Sequence, residues 1–194
     1  YGDLTVKEGA ELTLRNTTLY FHDAGGMEIY GSLKTEDCVL RGDRLDRMFD
    51  YLPYDRISGQ WEGVHFYASS KGNELVDTEI RNATDAIVLD QTKLDDAYYS
   101  LVMQHCVVHN SKGDGVKVTN AKVLIDHCQL TNAKGDCLAV RGGMAEINYC
   151  TIGQFYPFDA ERGKAIRFVD EEDTPLKRFV CEGTIATGYA EDVV

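Results

Sequence analysis

Four acidic side chains, Glu62, Asp85, Asp114 and Asp136, each stand two residues before a short apolar triplet, and Lys164 takes the same place before a fifth. If the triplets stack as neighbouring parallel strands, carboxylates on adjacent units lie about 5 to 7 Å apart. That is close enough for them to raise one another's pKa or to share a cation. Asp85, Asp114 and Asp136 are therefore candidate Ca2+ ligands, since that ion takes carboxylate oxygens. In the competing reading each Asp caps its own turn by accepting backbone N–H bonds, and the glycines that flank these acids, as at Asp114 and Asp136, favour it.

The middle residues of the triplets read His65, Val88, Lys117, Ala139 and Arg167. They include no acid, so the carboxylate pair of a glycoside hydrolase cannot be built from that row alone. Lys117 and Arg167 supply the cationic base and charge neutraliser that elimination from a uronate requires. They sit two turns apart, however, which is roughly 10 Å and long for cooperation at one bond. His105 and His127 stand 22 residues apart, with Tyr149 continuing their row. Stacked imidazoles can ligate a transition metal, but no third ligand is evident, and an exposed ladder is the plainer expectation. Cys106, Cys128 and Cys150 share the same spacing. They are expected to form a row of small buried hydrophobes with mostly free thiols, and the chain has no CxxC pair to suggest a metal.

The elements that must position these residues are short strands. HCVVHNSKGDGVKV, HCQLTNAKGDCLAV and YCTI follow one another in register at a 22-residue period. Such a period marks units that bury their apolar faces only by stacking. One strand of each unit aligns as Val64-His65-Phe66, Ile87-Val88-Leu89, Val116-Lys117-Val118, Leu138-Ala139-Val140 and Ile166-Arg167-Phe168, outer residues inward and middle residue outward. A second strand runs through Thr78/Ile80, Cys106/Val108, Cys128/Leu130 and Cys150/Ile152, and a third through Leu101/Met103, Val123/Ile125 and Ala145/Ile147. The expected fold is all-β: a single-stranded parallel β-helix, or β-solenoid, with three short strands per coil of about 22 residues. Residues 4–40 read as two further coils of two- to four-residue strand fragments, broken at Glu-Gly, Asn-Thr-Thr and Ala-Gly-Gly. Asn82, Asn110 and Asn132 recur after the second strand and suggest a ladder of stacked amides. Residues 1–194 are read as one domain, and as a fragment of a longer solenoid because the pattern is still running at the last residue.

Three segments interrupt the coils: 41–60, 91–99 and 153–162, each rich in aromatic and charged residues. Insertions of this kind leave a solenoid as loops, and loops on rigid scaffolds carry binding residues. Tyr54, Tyr98, Tyr99, Tyr156 and Asp159 are the ligand-binding candidates within them. The alternative for 41–60 is a lid that packs Phe49, Leu52 and Tyr54 against the coil edge.

A net charge of −12 argues against nucleic acid or an anionic membrane as partner, because phosphate binding draws on Lys and Arg. No run of 18 apolar residues is present to span a bilayer. The chain opens on Tyr1-Gly2-Asp3 without a signal peptide, so it is read as cytosolic or as having lost a leader.

Laid out in this way, the chain resembles the right-handed parallel β-helix proteins exported by gut and environmental Bacteroidetes. The likeness rests on the opening LTVKEGAELTL, the GDRLD…YDRISGQWEGVHF block, NELVDTEIRNATDAIVLD, the HCVVHNS repeats and the closing GTIATGYAED. It implies a right-handed coil, a signal peptide, commonly a lipoprotein anchor, and a place at the cell surface or in the periplasm. A more local resemblance is to the polygalacturonases, also right-handed β-helices. Asp114 in NSKGDGVKV and Asp136 in GDCLAV match two of their acidic positions, making Asp114 and Asp136, with Lys117 and Arg167, the catalytic candidates. The adjoining Asp of the second motif is absent, and Gly163-Lys164 stands where Gly-His would be. The expectation is therefore a non-catalytic extracellular module that presents loops to a polysaccharide or a cell-surface protein, with no cofactor unless Ca2+. The alternatives are a polysaccharide-degrading hydrolase or uronate lyase, and a structural stalk or adhesin.

Overall fold

Alternating apolar residues give each strand one inward and one outward side, so strands stacked coil on coil build the walls of a shared core. In the computed structural model, which describes residues 2–44, 47–49, 52–53, 56–189 and 192–194, seven strands lie side by side in chain order, all parallel. They are Leu4–Val6, Gly26–Ile29, Gly63–Phe66, Ile87–Asp90, Val116–Thr119, Leu138–Arg141 and Ile166–Val169. The triplets stand in the expected register, Val64 against Ile87, Ile87 against Val116, Val116 against Leu138 and Leu138 against Ile166. Their outer residues form columns along the axis, such as Ile29, Phe66, Leu89, Val118 and Val140, all buried. Each such side chain contributes about 1.5 to 3 kcal/mol by leaving water, and no unit obtains this without its neighbours.

The other walls form one sheet of eleven strands. Here the structure corrects the fragmentary reading of the first coils. Glu11–Phe21, Ser32–Gly42 and Asn73–Arg81 are long bent strands, and Asn16-Thr17-Thr18 interrupts nothing. In later coils the same path is two strands, for example Leu101–Gln104 followed by Val107–Ser111, and Lys122–Asp126 followed by Gln129–Ala133. The bend between the two walls is made by one residue per coil with a left-handed backbone. Asn16, Asp37, Asp77, His105, His127, Tyr149 and Gly183 all have φ between 46° and 58°. One such residue turns the chain without a loop, and Asn, Asp, His and Gly tolerate it best.

The residue after this bend explains the cysteines. Cys38, Thr78, Cys106, Cys128, Cys150 and Thr184 each donate their S–H or O–H to the carbonyl two residues back, at 2.8–3.3 Å. The N–H of Cys106 in turn donates to Sγ of Cys128, that of Cys128 to Sγ of Cys150, and that of Cys150 to Oγ1 of Thr184. The row is therefore not simply a set of small hydrophobes. It gives the N–H that follows the bend an acceptor on the next coil, a role that Thr fills as well as Cys. All six cysteines are free thiols and only Cys181 is exposed; burial pushes the Cys137 thiol up to about 11.

Asn82, Asn110 and Asn132 mark a second bend, with φ of 65°, 59° and 57°. Their common requirement is this backbone conformation, and the amide of Asn82 donates to Ile57 O at 3.0 Å, toward the inserted segment rather than along the axis. No helix among the described residues is long and apolar enough to cross a membrane.

Candidate functional site

The outward face of the seven-stranded wall carries three parallel rows. The leading row is Glu62, Asp85, Asp114, Asp136 and Lys164. The middle row is Glu28, His65, Val88, Lys117, Ala139 and Arg167. The trailing row begins Tyr30, Tyr67, Asp90 and continues through Thr119 and Arg141. Two depressions lie among them. One, of about 450 Å3, is lined by Glu28, Glu62, His65, Tyr67, Asp85 and Lys117. The other, of about 190 Å3, is lined by Asp114, Lys117, Thr119, Asp136, Arg141 and Arg167. Lys117 borders both, so they adjoin along the coil axis as two parts of a groove.

The acids of the leading row are joined coil to coil. Asp85 Oδ1 accepts the N–H of Asp114 at 2.6 Å, Asp114 Oδ1 that of Asp136 at 2.8 Å, and Asp136 Oδ1 that of Lys164 at 2.7 Å. Each carboxylate thus caps the next coil, where the sequence reading had it capping its own turn. The glycines follow from the same contact: a Cβ at Gly113, Gly135 or Gly163 would collide with the carboxylate of Asp85, Asp114 or Asp136. The recurring Gly-Asp pair is one device in which glycine leaves room for the cap that the previous aspartate provides. Charge-assisted bonds of this kind are worth about 1.5 to 3 kcal/mol each.

These caps differ in electrostatics. Asp136 is nearly buried and makes a two-pronged pair with Arg167, Oδ2 to Nε at 2.6 Å and Oδ1 to Nη2 at 3.3 Å. The pair holds the Arg167 guanidinium charged still more firmly than usual. Asp114 lies between the charges of Asp85 and Asp136. Burial first, and then those neighbours, raises its carboxyl above the ordinary value, against the opposing pull of the Asp136 N–H and Lys117. Thus the four catalytic candidates do meet in one groove, yet Asp136 and Arg167 are bound to each other, and Lys117 is the exposed cation between the acids. One oxygen of each proposed Ca2+ ligand is taken by backbone, and among the described residues no three His, Cys, Asp or Glu side chains gather as a metal cage.

The sequence reading missed the aromatic end of the groove. Tyr30 and Tyr67 stack at 4.2 Å with rings 5° from parallel, and His65 lies on Tyr67 at 4.0 Å. The Tyr67 hydroxyl donates to Glu28 Oε1 at 3.3 Å; burial, chiefly, pushes its pKa up to about 12. A signal was available: Tyr30 and Tyr67 each follow an apolar triplet directly, at one repeat position.

Two of the three insertions, 41–60 and 153–162, leave the corner before the seven-stranded wall and meet there. Ser58 Oγ and the Tyr156 hydroxyl lie 2.7 Å apart, and Lys134 pairs with Asp159 at 2.8 Å. Tyr156 is buried with its ring against Phe158, so it ties the insertions together instead of offering a ring to a ligand. Segment 91–99 leaves the opposite edge and lies on the neighbouring wall, where Tyr99 donates to Glu146 Oε2 at 3.1 Å and Lys122 sits 4.6 Å over its ring. Of the tyrosines proposed as ligand contacts, Tyr98 stands open at 74% exposure, and Tyr54 lies outside the described residues.

Residues 2–152 match the family model described as right handed beta helix region. Neither the curated proteins nor the solved structures contain a match to this chain.

Proposed function

This chain belongs to the right-handed β-helix family, and on that premise we propose that its seven-stranded wall is a non-catalytic binding groove for a polysaccharide. The observation that carries this reading is the succession of two depressions on either side of Lys117, with a stacked aromatic surface at one end and cations at the other. Tyrosine rings offer flat apolar area and polar tips to sugar faces. Lys117 and Arg141 offer charge to an occasional carboxylate or sulfate, while the surrounding acids disfavour a polymer that is anionic throughout. We place the protein at the cell surface, lipid-anchored, or in the periplasm, where such polymers are met. In this reading Ca2+ is not required.

Calorimetry and glycan arrays with the full chain test the proposal. A ligand is expected whose affinity falls roughly tenfold on Tyr67→Ala, the scale of one lost aromatic contact. The Lys117→Ala variant should bind with weaker salt dependence. Absence of carbohydrate binding, with capture of a protein instead, would replace this reading with that of a stalk or adhesin. A second reading, acid-assisted cleavage, is favoured by the raised carboxyl of Asp114. It requires release of reducing ends or unsaturated products, lost in Asp114→Asn.

A further inference from the structure

On the bend between the two walls of the eleven-stranded sheet, away from the groove, His105 and His127 occupy the same position of successive coils. Both have a left-handed backbone, with φ of 53° and 52°, which turns their side chains outward from the coil. Their rings are 5.6 Å apart, and both side chains are more than half exposed. In each, Nδ1 faces a carboxylate: Asp77 Oδ1 at 3.4 Å for His105 and Asp126 Oδ1 at 3.0 Å for His127. With a carboxylate on the Nδ1 side of each ring, Nε2 is the nitrogen left to coordinate.

We propose that His105 and His127 form a two-ligand site for an imidazole-seeking divalent metal such as Zn2+, with water completing its coordination. A metal about 2.1 Å beyond each Nε2 would hold the two ring centroids about 5 to 6 Å apart, which the rings already satisfy. Asp77 and Asp126 orient the ligands without belonging to the coordination sphere. Tyr149 closes one side of the site, with its ring 5.1 Å from that of His127. Because the two histidines belong to neighbouring coils, the metal would also clamp those coils together. The site is independent of the glycan reading.

Calorimetric titration of the full chain with Zn2+, in a Cys181→Ser background to remove the exposed thiol, tests the site. One equivalent is expected to bind, with the imidazole nitrogen resonances of His105 and His127 shifting together and the melting temperature rising. His105→Asn and His127→Asn, chosen because Asn16 already occupies this position in an earlier coil, should each abolish that binding while preserving the bend. Asp126→Asn should lower affinity roughly tenfold by releasing its imidazole. Binding that survives both histidine substitutions, or no imidazole shift at millimolar Zn2+, would overturn the proposal.

Discussion

Two columns of this coil repeat with the same period and behave in opposite ways. In the column of Cys38, Thr78, Cys106, Cys128, Cys150 and Thr184, every member makes the same bond to the carbonyl two residues back. In the middle column of the groove the residues are Glu28, His65, Val88, Lys117, Ala139 and Arg167, which change in charge and size from coil to coil. The first column is restricted because the N–H that follows the bend finds its acceptor in a small hydroxyl or thiol side chain of the next coil. The second faces solvent, where the backbone makes no demand and chemistry can differ from coil to coil. Regularity in a solenoid therefore marks what the backbone needs, and irregularity at a periodic position marks where a ligand can be read.

Substitutions that attack the regular columns should cost most. Gly135→Ala is expected to destabilise by about 3 kcal/mol, the upper end of the overpacking range, because the new Cβ meets the main chain of Gly113 as well as the Asp114 carboxylate. Main chain cannot move aside as a side chain can, so the denaturant midpoint should fall with an unchanged slope. A fall no larger than that of an exposed Gly72→Ala, where space is open and only the left-handed backbone, with φ of 65°, opposes the new Cβ, would show that the Gly-Asp device is dispensable. Next comes Cys128→Val, with about 2 kcal/mol expected for leaving the Cys106 N–H without its acceptor and taking from the Asp126 carbonyl the second of its two donors, the first being the His105 N–H. Cys128→Thr should keep most of that stability, since Thr78 and Thr184 already serve in the same column. Equal losses for Val and Thr would mean that the column is packed for volume alone.

The same distinction explains what was legible in the sequence. The coil, its strand registers and its buried rows follow from apolar alternation at a fixed period, and Val64, Ile87, Val116, Leu138 and Ile166 are aligned as expected. What the period could not convey was the direction of hydrogen bonding. Whether Asp114 caps its own turn or the next depends on the axial offset between coils, which one-dimensional spacing does not contain. Long bent strands such as Glu11–Phe21 were obscured because a single left-handed residue looks like a turn in sequence but breaks nothing in space. The Tyr30–Tyr67 stack was missed because those rings stand just beyond the triplets used for alignment. Tyr156 and Tyr99 attracted notice as loop aromatics, yet they pack against Ser58 and Glu146; composition alone does not tell a packed ring from an open one.

The smallest expected effects, and the sharpest test of the comparison, concern two aspartates that look identical in sequence. Asp114 and Asp136 each cap the next coil, so replacement by Asn should leave the Oδ1 acceptor in place in both. They differ in the charge that Asn removes. Asp136 loses its pairing with Arg167, a cost of about 1 kcal/mol once the exposure of the guanidinium is allowed for. Asp114 loses a charge that its burial and its acidic neighbours disfavour, so Asp114→Asn should be neutral or slightly stabilising at pH 7. The sign of the pH effect follows from its raised pKa: the folded state holds the proton more tightly than the unfolded chain. This stabilising contribution is fully present below the unfolded carboxyl value and is lost as pH rises through the higher folded value. Urea midpoints of the wild type and Asp114→Asn should therefore converge on acidification, with the variant ahead only at higher pH. If the two Asn variants instead behave alike across pH, the leading row is uniform scaffold like the Cys–Thr column, and the groove begins only at the middle row.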